Sequence, residues 1–426
     1  MNRFVDTGRV LFPQIRYSFQ NCHRLKEKCI ENPTYGYKVL LTLILSTKLP
    51  GPDWKVEALN KAFNILSCNP KFSRQSDASY LNGLVKLRMA EVSRRLQGVH
   101  FGDLGGIDPP TDPRSNSLEG AWRQFEAQER IMMTQPDLHG AATVLKDFTF
   151  WDAMAPSTSE RHVLNQHKLC QGKIQRWRAE FELASATFSG LEDDIGAYYD
   201  DTGCSFWNHY IATLCELHKF KNAEHWARHV VRGYERLYEQ GVYPERQKRH
   251  RTLRLSLADA LACRCLVERA TAPSWTAEVC KVLGEAEDIY KGLDHEYGAL
   301  AKRDWATQFE HLRIHIGRAL MAYLAGDRFE ESQQLWQDAL ELACYCEDHD
   351  KITGFVQMII KYSLCDIASR LGDMNRAHTH LRIAKTLFSE LGREHWWTCM
   401  GTAMLDLLAK SLDKANLVSG ITSSIL

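Results

Sequence analysis

Apolar residues recur at three- and four-residue intervals along most of the chain, which is the spacing of one face of an α-helix. Leu, Ala, Glu, Arg and Lys, all good helix formers, fill the segments between short polar joints. No run of alternating β-branched residues suggests a strand. The pattern predicts an all-α protein whose helices come in pairs of similar length, the arrangement of a repeat array. Candidate helices at 35–46, 54–66 and 80–96 make residues 1–97 an N-terminal helical region of degenerate repeats or a cap. Residues 98–117 are rich in Gly, Pro, Ser and Asp, which end helices, and are expected to form a loop or linker. Residues 118–412 are then the repeat array and 413–426 a flexible tail.

Four helix pairs share one register. In the clearest, Trp207, Tyr210, Ile211 and Leu214 stripe a first helix, His218-Lys219-Phe220-Lys221 makes the joint, and Ala223, Ala227 and Val230 stripe a second. A second pair joins Ala319, Leu320 and Tyr323 through Gly326-Asp327-Arg328-Phe329 to Ser332, Trp336 and Ala339. A third joins Leu364, Cys365 and Ala368 through Gly372-Asp373-Met374 to Ala377, Leu381 and Ala384. A fourth joins Gly172 and Gln175 through Ala179-Glu180-Phe181 to Ala184 and Phe188. In each, a small or apolar pair on the first helix precedes a small residue on the second by 12 to 13 positions. Antiparallel helices approach closely only where both side chains are small, and bulky neighbours then fill the gaps between pairs. The spacing of 109 between Ala223 and Ser332 leaves room for one more, degenerate pair at about 251–267 and 275–293.

This register resembles the tetratricopeptide repeat, Trp-x2-Leu-Gly-x2-Tyr followed by Ala-x3-Phe and Pro. Trp207 fills the first position, Gly172 the Gly position and Tyr323 the Tyr position of their units. Ala184, Ala223 and Ala377 fill the central Ala, with Ser332 substituting, and the closing Pro is missing throughout. The spacing exceeds the usual 34 residues. Longer units of this kind look like the tetratricopeptide-like arms of fungal signal-transducing NTPases and maltose-regulator-type activators. The resemblance covers about 160 to 410. It implies a non-catalytic scaffold or adaptor that holds a protein or peptide along a concave groove lined by the first helices. Transferred by register, the groove positions are Gln166, Leu169, Lys173, Arg176 and Trp177 in one unit, Asn208, Ala212 and Glu216 in the next, and Tyr362, Asp366 and Arg370 in the Leu364 unit. Cations and an amide could clamp a carboxylate or a backbone there.

The charge balance narrows the partners. Lys+Arg and Asp+Glu both number 53, so net charge offers a polyanion nothing, and nucleic acid is disfavoured. One local exception is the basic patch Arg246, Lys248, Arg249, Arg251 and Arg254, read as a solvated helix start or a second partner site. No apolar stretch approaches the roughly 18 residues of a membrane span. With no apolar leader core, and with thiols too scattered for a disulfide framework, the chain reads as intracellular: cytoplasmic, with a nuclear location left open.

Catalytic signatures are absent. There is no Gly-x4-Gly-Lys-Ser/Thr phosphate loop, Gly-x-Ser-x-Gly elbow or paired Cys-x2-Cys, and no cofactor is expected. His225/His229 and His311/His315 are each four apart on a helix, the geometry of a bidentate metal grip. A catalytic metal would still need a third ligand and a nearby general base, neither pair reads His-Glu-x-x-His, and both are read as solvated or inter-repeat faces with no metal. Cys263/Cys265 and Cys344/Cys346 point about 200° apart on a helix and read as packing. Asp193-Asp194 and Asp200-Asp201 carry the one enzyme alternative, an all-α catalyst or accessory protein of secondary metabolism with an internal pocket. Such a catalyst would bind magnesium and diphosphate through clustered carboxylates. A small-molecule-sensing array is the other alternative.

Overall fold

The computed structural model describes residues 52–67, 137–146, 158–196, 201–239, 244–271, 275–298, 305–345, 350–391 and 398–414, with short stretches and single positions before residue 128. Helices and turns make up these residues, with no strand among them. The 98–117 segment and residues 415–426 lie outside the described residues, and the helices expected at 35–46 and 80–96 are described only at scattered helical positions.

The chain divides into two compact units, Met1–His167 and Lys168–Leu426. In the first unit, α1 (Pro52–Ser67) buries Trp54, Ala58, Leu59, Ala62 and Ile65. Helix α2 (Leu138–Lys146) starts at Asp137, whose Oδ1 accepts the Gly140 N–H at 2.7 Å, satisfying one of the orphan donors of a first turn. At its end the Leu145 carbonyl lies 3.2 Å from Nε2 of His167, on α3 (Thr158–Trp177). The boundary between the units falls within α3.

The second unit is a solenoid of antiparallel pairs. The end of α3 pairs with α4 (Phe181–Ser189), and a single turn, α5 (Glu192–Ile195), follows. Then come α6 (Asp201–Glu216) with α7 (Phe220–Glu239), and α8 (Pro244–Thr271) with α9 (Ala277–Gly298). Next are α10 (Trp305–Ala325) with α11 (Phe329–Tyr345), and α12 (Asp350–Arg370) with α13 (Met374–Leu391). Helix α14 (Gly401–Lys414) follows the last pair. The pair α8/α9 fills the long interval between the Ala223 and Ser332 units.

The register has a visible physical basis. A Cβ on Gly172 would sit 2.6 Å from the Phe188 ring, so only glycine lets α3 and α4 approach this closely. Ser332 stands at the central Ala position of its own unit, on the second helix, where its Oγ donates to the Ala319 carbonyl at 2.8 Å. Serine serves in place of alanine because its hydroxyl finds a backbone acceptor across the contact. All four joints turn through the left-handed region, at Ala179 (φ 59), His218 (φ 57), Gly326 (φ 84) and Gly372 (φ 82). Three of them are closed by paired helix-end bonds. Glu180 N–H donates to Gln175 O (2.8 Å), Lys219 N–H to Leu214 O (2.8 Å) and Asp373 N–H to Ala368 O (2.8 Å).

First helix α8 packs on both α6 and α10, and each of the three also packs on its own second helix. Helix α8 is buried on all sides from Leu255 to Leu266 apart from Arg264, as a helix enclosed by neighbours must be. Both Cys263 and Cys265 are buried there as free thiols, which is the packing role expected of them. Ion pairs tie α9 to its neighbours. Arg228 on the second helix α7 reaches Glu285 at 2.7 Å, Arg264 on α8 reaches Glu278 at 2.5 Å, and Arg328 in the joint before α11 reaches Glu287 at 2.8 Å.

Candidate functional site

The layer of first helices is covered by the chain's own last described helix. Helix α14 packs on α6, α8 and α12. Met404, Leu405, Leu408, Ala409 and Leu412 are buried, and between residues 401 and 412 only Lys410 is exposed. The start of α14 is held by Glu216, which is 3% exposed at the end of α6. One carboxylate oxygen accepts Gly401 N–H (3.0 Å) and Thr398 Oγ1–H (2.7 Å); the other accepts Thr402 N–H (2.9 Å) and Thr402 Oγ1–H (2.8 Å). A carboxylate on the free N–H groups of a first turn is favoured by the helix dipole, and here it acts as a cap supplied by a distant part of the chain.

Arg176, at the end of α3, fixes the segment just ahead of α14. Its guanidinium donates to the Thr398 carbonyl, reaches Cys399 Sγ at 3.7 Å and lies 3.0 Å from His209 Nδ1. Burial lowers the Arg176 pKa without discharging a group this basic. His209 is held well below the ordinary histidine value, first by burial and then by Lys173, Arg176 and Arg313, so it stays neutral. Lys173 is partly buried, and its pKa is lowered by burial. Trp177 is buried, edge-on to His209 at 5.4 Å.

The other end of α14 is gripped from α12. Asp366 (1% exposed) accepts Tyr323 Oη–H at 2.6 Å, Arg370 Nε–H at 2.7 Å and the Ser411 hydroxyl. Arg370 also donates to Ser411 Oγ at 2.7 Å and lies over the Tyr323 and Phe329 rings, each 5.4 Å from its centroid. Tyr362 is buried on the same helix. Beneath the middle of the wall, Asp259 of α8 accepts Tyr290 Oη–H (2.6 Å) and Arg313 Nη2–H (2.5 Å). Asn208 Oδ1 accepts from Ser256 Oγ (2.9 Å) and faces Arg313 Nη1 at 3.4 Å.

Of the residues assigned to the groove by repeat register, Arg176 and Glu216 hold residues 398–402 at the start of α14, and Asp366 and Arg370 hold Ser411 near its end. Asn208 belongs to the polar layer below. Lys173 and Trp177 flank His209. Sequence reasoning missed Asp259 and Arg313. A charged residue within an apolar helix, as Asp259 is between Ala258 and Ala260, was the available signal.

The basic patch is partly folded into the protein. Arg254 pairs with Glu296 at 2.6 Å, and Arg251 lies over the Tyr297 ring at 5.6 Å. Lys248 and Arg249 are half-buried; the Arg246 side chain lies outside the described residues. Asp193 and Asp194 face solvent on α5, and neither Asp200 nor the Asp201 side chain lies among the described residues. A cavity of about 30 Å³ lies against Asp259, Arg313, Cys399 and Met404, with room for a water or two.

No known family model and no curated protein matches this sequence. Among solved structures, the crystal structure of the APC/C hetero-tetramer Cut9-Hcn1 aligns with 93% of this chain and 86% of that one, at 11% identity and a TM-score of 0.27. At that score the likeness carries no weight. The all-α solenoid reading rests on the helix pairs, their common joints and the close contacts at Gly172 and Ser332. Among the described residues no helix is long and apolar enough to cross a membrane.

Proposed function

We propose that this protein is a non-catalytic scaffold whose layer of first helices binds an apolar-faced helix of a protein partner. The observation that supports this is α14 itself. An apolar helical face, a capped N-terminus and a hydroxyl clamped by Asp366 and Arg370 are held by the wall that repeat register assigns to partner binding. That wall has the chemistry of a helix receptor: apolar rows between the anchors Glu216, Arg176, Asp366 and Arg370. The exposed Asp193 and Asp194 and the water-sized cavity speak for this reading over an enzyme with an internal substrate pocket. The protein then acts either by releasing α14 to admit a partner helix or by presenting the rest of its surface while α14 stays in place.

The test uses a chain with a protease site placed within residues 392–397. After cleavage, a labelled peptide of residues 398–414 should exchange with the bound segment, measured by fluorescence polarisation. Glu216→Lys should weaken the exchange strongly, and native partners cross-linked to the cleaved chain should compete with the peptide. If the cleaved chain stays folded but takes up no peptide, or if partners bind with no competition, the wall is not a helix receptor.

A further inference from the structure

Two imidazoles and one carboxylate converge between α9 and α10. His311 Nε2 lies 3.0 Å and His315 Nε2 3.3 Å from the same oxygen, Asp294 Oδ1. The three ligand atoms all lie within 4.8 Å of one another. The other oxygen, Oδ2, is held by Arg318 at 2.5 Å, so the carboxylate is fixed with one oxygen left facing the two rings. The rings stand at 86° to each other with centroids 4.7 Å apart. The His311, His315 and Asp294 side chains are only 11%, 15% and 25% exposed.

We propose that Asp294, His311 and His315 form a binding site for a divalent transition-metal ion of the Zn²⁺ class, which staples α9 to α10. Ligands about 2.0–2.1 Å from a tetrahedral ion stand roughly 3.3 Å from one another, close to both carboxylate–imidazole distances here. Two imidazoles and a carboxylate form a borderline-soft N₂O set, which suits Zn²⁺, Co²⁺ or Ni²⁺ rather than Ca²⁺ or Mg²⁺. Arg318 occupies the place of an outer-shell partner that orients a ligand carboxylate. Each neutral imidazole would coordinate through Nε2 and carry its proton on Nδ1. Among the described residues both Nδ1 atoms are buried with no hydrogen-bond partner, so this exchange breaks no bond there on that side. Three protein ligands leave one position for water. The site lies apart from the wall that holds α14, so it stands or falls independently of the scaffold reading.

The test titrates the chelator-stripped full chain with Zn²⁺ alone by calorimetry, and with Co²⁺ by visible absorption. One equivalent of Zn²⁺ should bind and raise Tm, and Co²⁺ should give the strong visible bands of a four-coordinate ion. Asp294→Asn, His311→Gln and His315→Gln keep the side-chain volume and should each weaken Zn²⁺ binding by about 100-fold. Arg318→Met should weaken it by about 10-fold. The doubly substituted His225→Ala/His229→Ala chain should bind as the parent does. Absence of stoichiometric Zn²⁺ binding overturns the proposal, as does unchanged affinity in a His315→Gln chain with parental circular dichroism. Should those variants unfold, X-ray absorption on the Co²⁺-loaded parent decides, and a spectrum without two imidazole ligands counts against the site.

Discussion

The motif His-x3-His-x2-Arg occurs twice in this chain, at His225, His229 and Arg232 on α7 and at His311, His315 and Arg318 on α10. On α7 all three residues are exposed. The two imidazoles stand edge-on to Trp226, with centroids at 5.2 and 5.8 Å, beside a cationic surface groove of about 260 Å³. On α10 the same spacing is enclosed, and a neighbouring helix supplies Asp294 to all three side chains. Spacing of four puts two rings on one face in both places. Whether that face becomes a site depends on what the next helix brings to it, because a third ligand and an outer-shell partner are contacts at a distance in sequence.

The largest effect should come from the buried side of α10, where Arg313 points away from the histidines. Asp259→Ala strands the Arg313 guanidinium and the Tyr290 hydroxyl in the interior. It should cost about 3–5 kcal/mol in urea unfolding, since an uncompensated buried charge remains. An unchanged midpoint would mean that this pair is not the buried anchor of the wall.

Asp294→Ala, measured in the presence of a chelator, should cost less, about 1–2 kcal/mol, because the side chains around it are partly solvated. The pH dependence has a definite sign. Hydrogen bonds from His311 and His315, with the Arg318 charge adding to them, hold the Asp294 carboxyl well below the usual range. Its contribution is then present above the unfolded carboxylate value near 4 and fades as pH falls further. The gap between parent and variant should narrow below about pH 4; a gap that widens there would contradict the assignment.

A smaller change should come from the joints. Ala179→Gly relieves a left-handed residue that carries a Cβ and should stabilise the protein by roughly 0.5–1 kcal/mol. The same substitution at His218 should act in the same direction. A loss of thermal stability in Ala179→Gly would show that the joint's shape is set elsewhere.

The smallest effect should be on α7. His225→Ala/His229→Ala should alter stability by no more than about 0.5 kcal/mol, as exposed substitutions do. A cost comparable to that of Asp294→Ala would erase the contrast between the two copies of the motif.

Much of the fold was legible. The stripes at Trp207, Tyr210, Ile211 and Leu214, the small partners Ala184, Ala223 and Ala377, and the joints before them all follow from helix geometry and close approach. The joint at Ala179 was legible even without glycine, because the register fixed where the chain had to turn. The candidate site was legible in part. Repeat register named Arg176, Glu216, Asp366 and Arg370 as lining one face. It could not show that residues 398–414 return to cover that face. The stripe of Met404, Leu408 and Leu412 says that this helix buries one side, and says nothing about against which neighbour.

By itself the sequence determined the helices, their pairing and the face each turns inward. These depend on periods of three and four residues and on side-chain size at the contacts, and both are local properties. Only the tertiary structure decided that Glu216 would cap a helix 185 residues further along the chain. It alone decided that Asp259 would meet Arg313, and that His311 and His315 would find Asp294 while His225 and His229 stayed exposed. Those outcomes turn on which surfaces the stacking of the helix pairs and the return of the last helix bring within about 3 Å. Hydrogen bonds and ligand contacts are made at that range, whatever the distance in sequence.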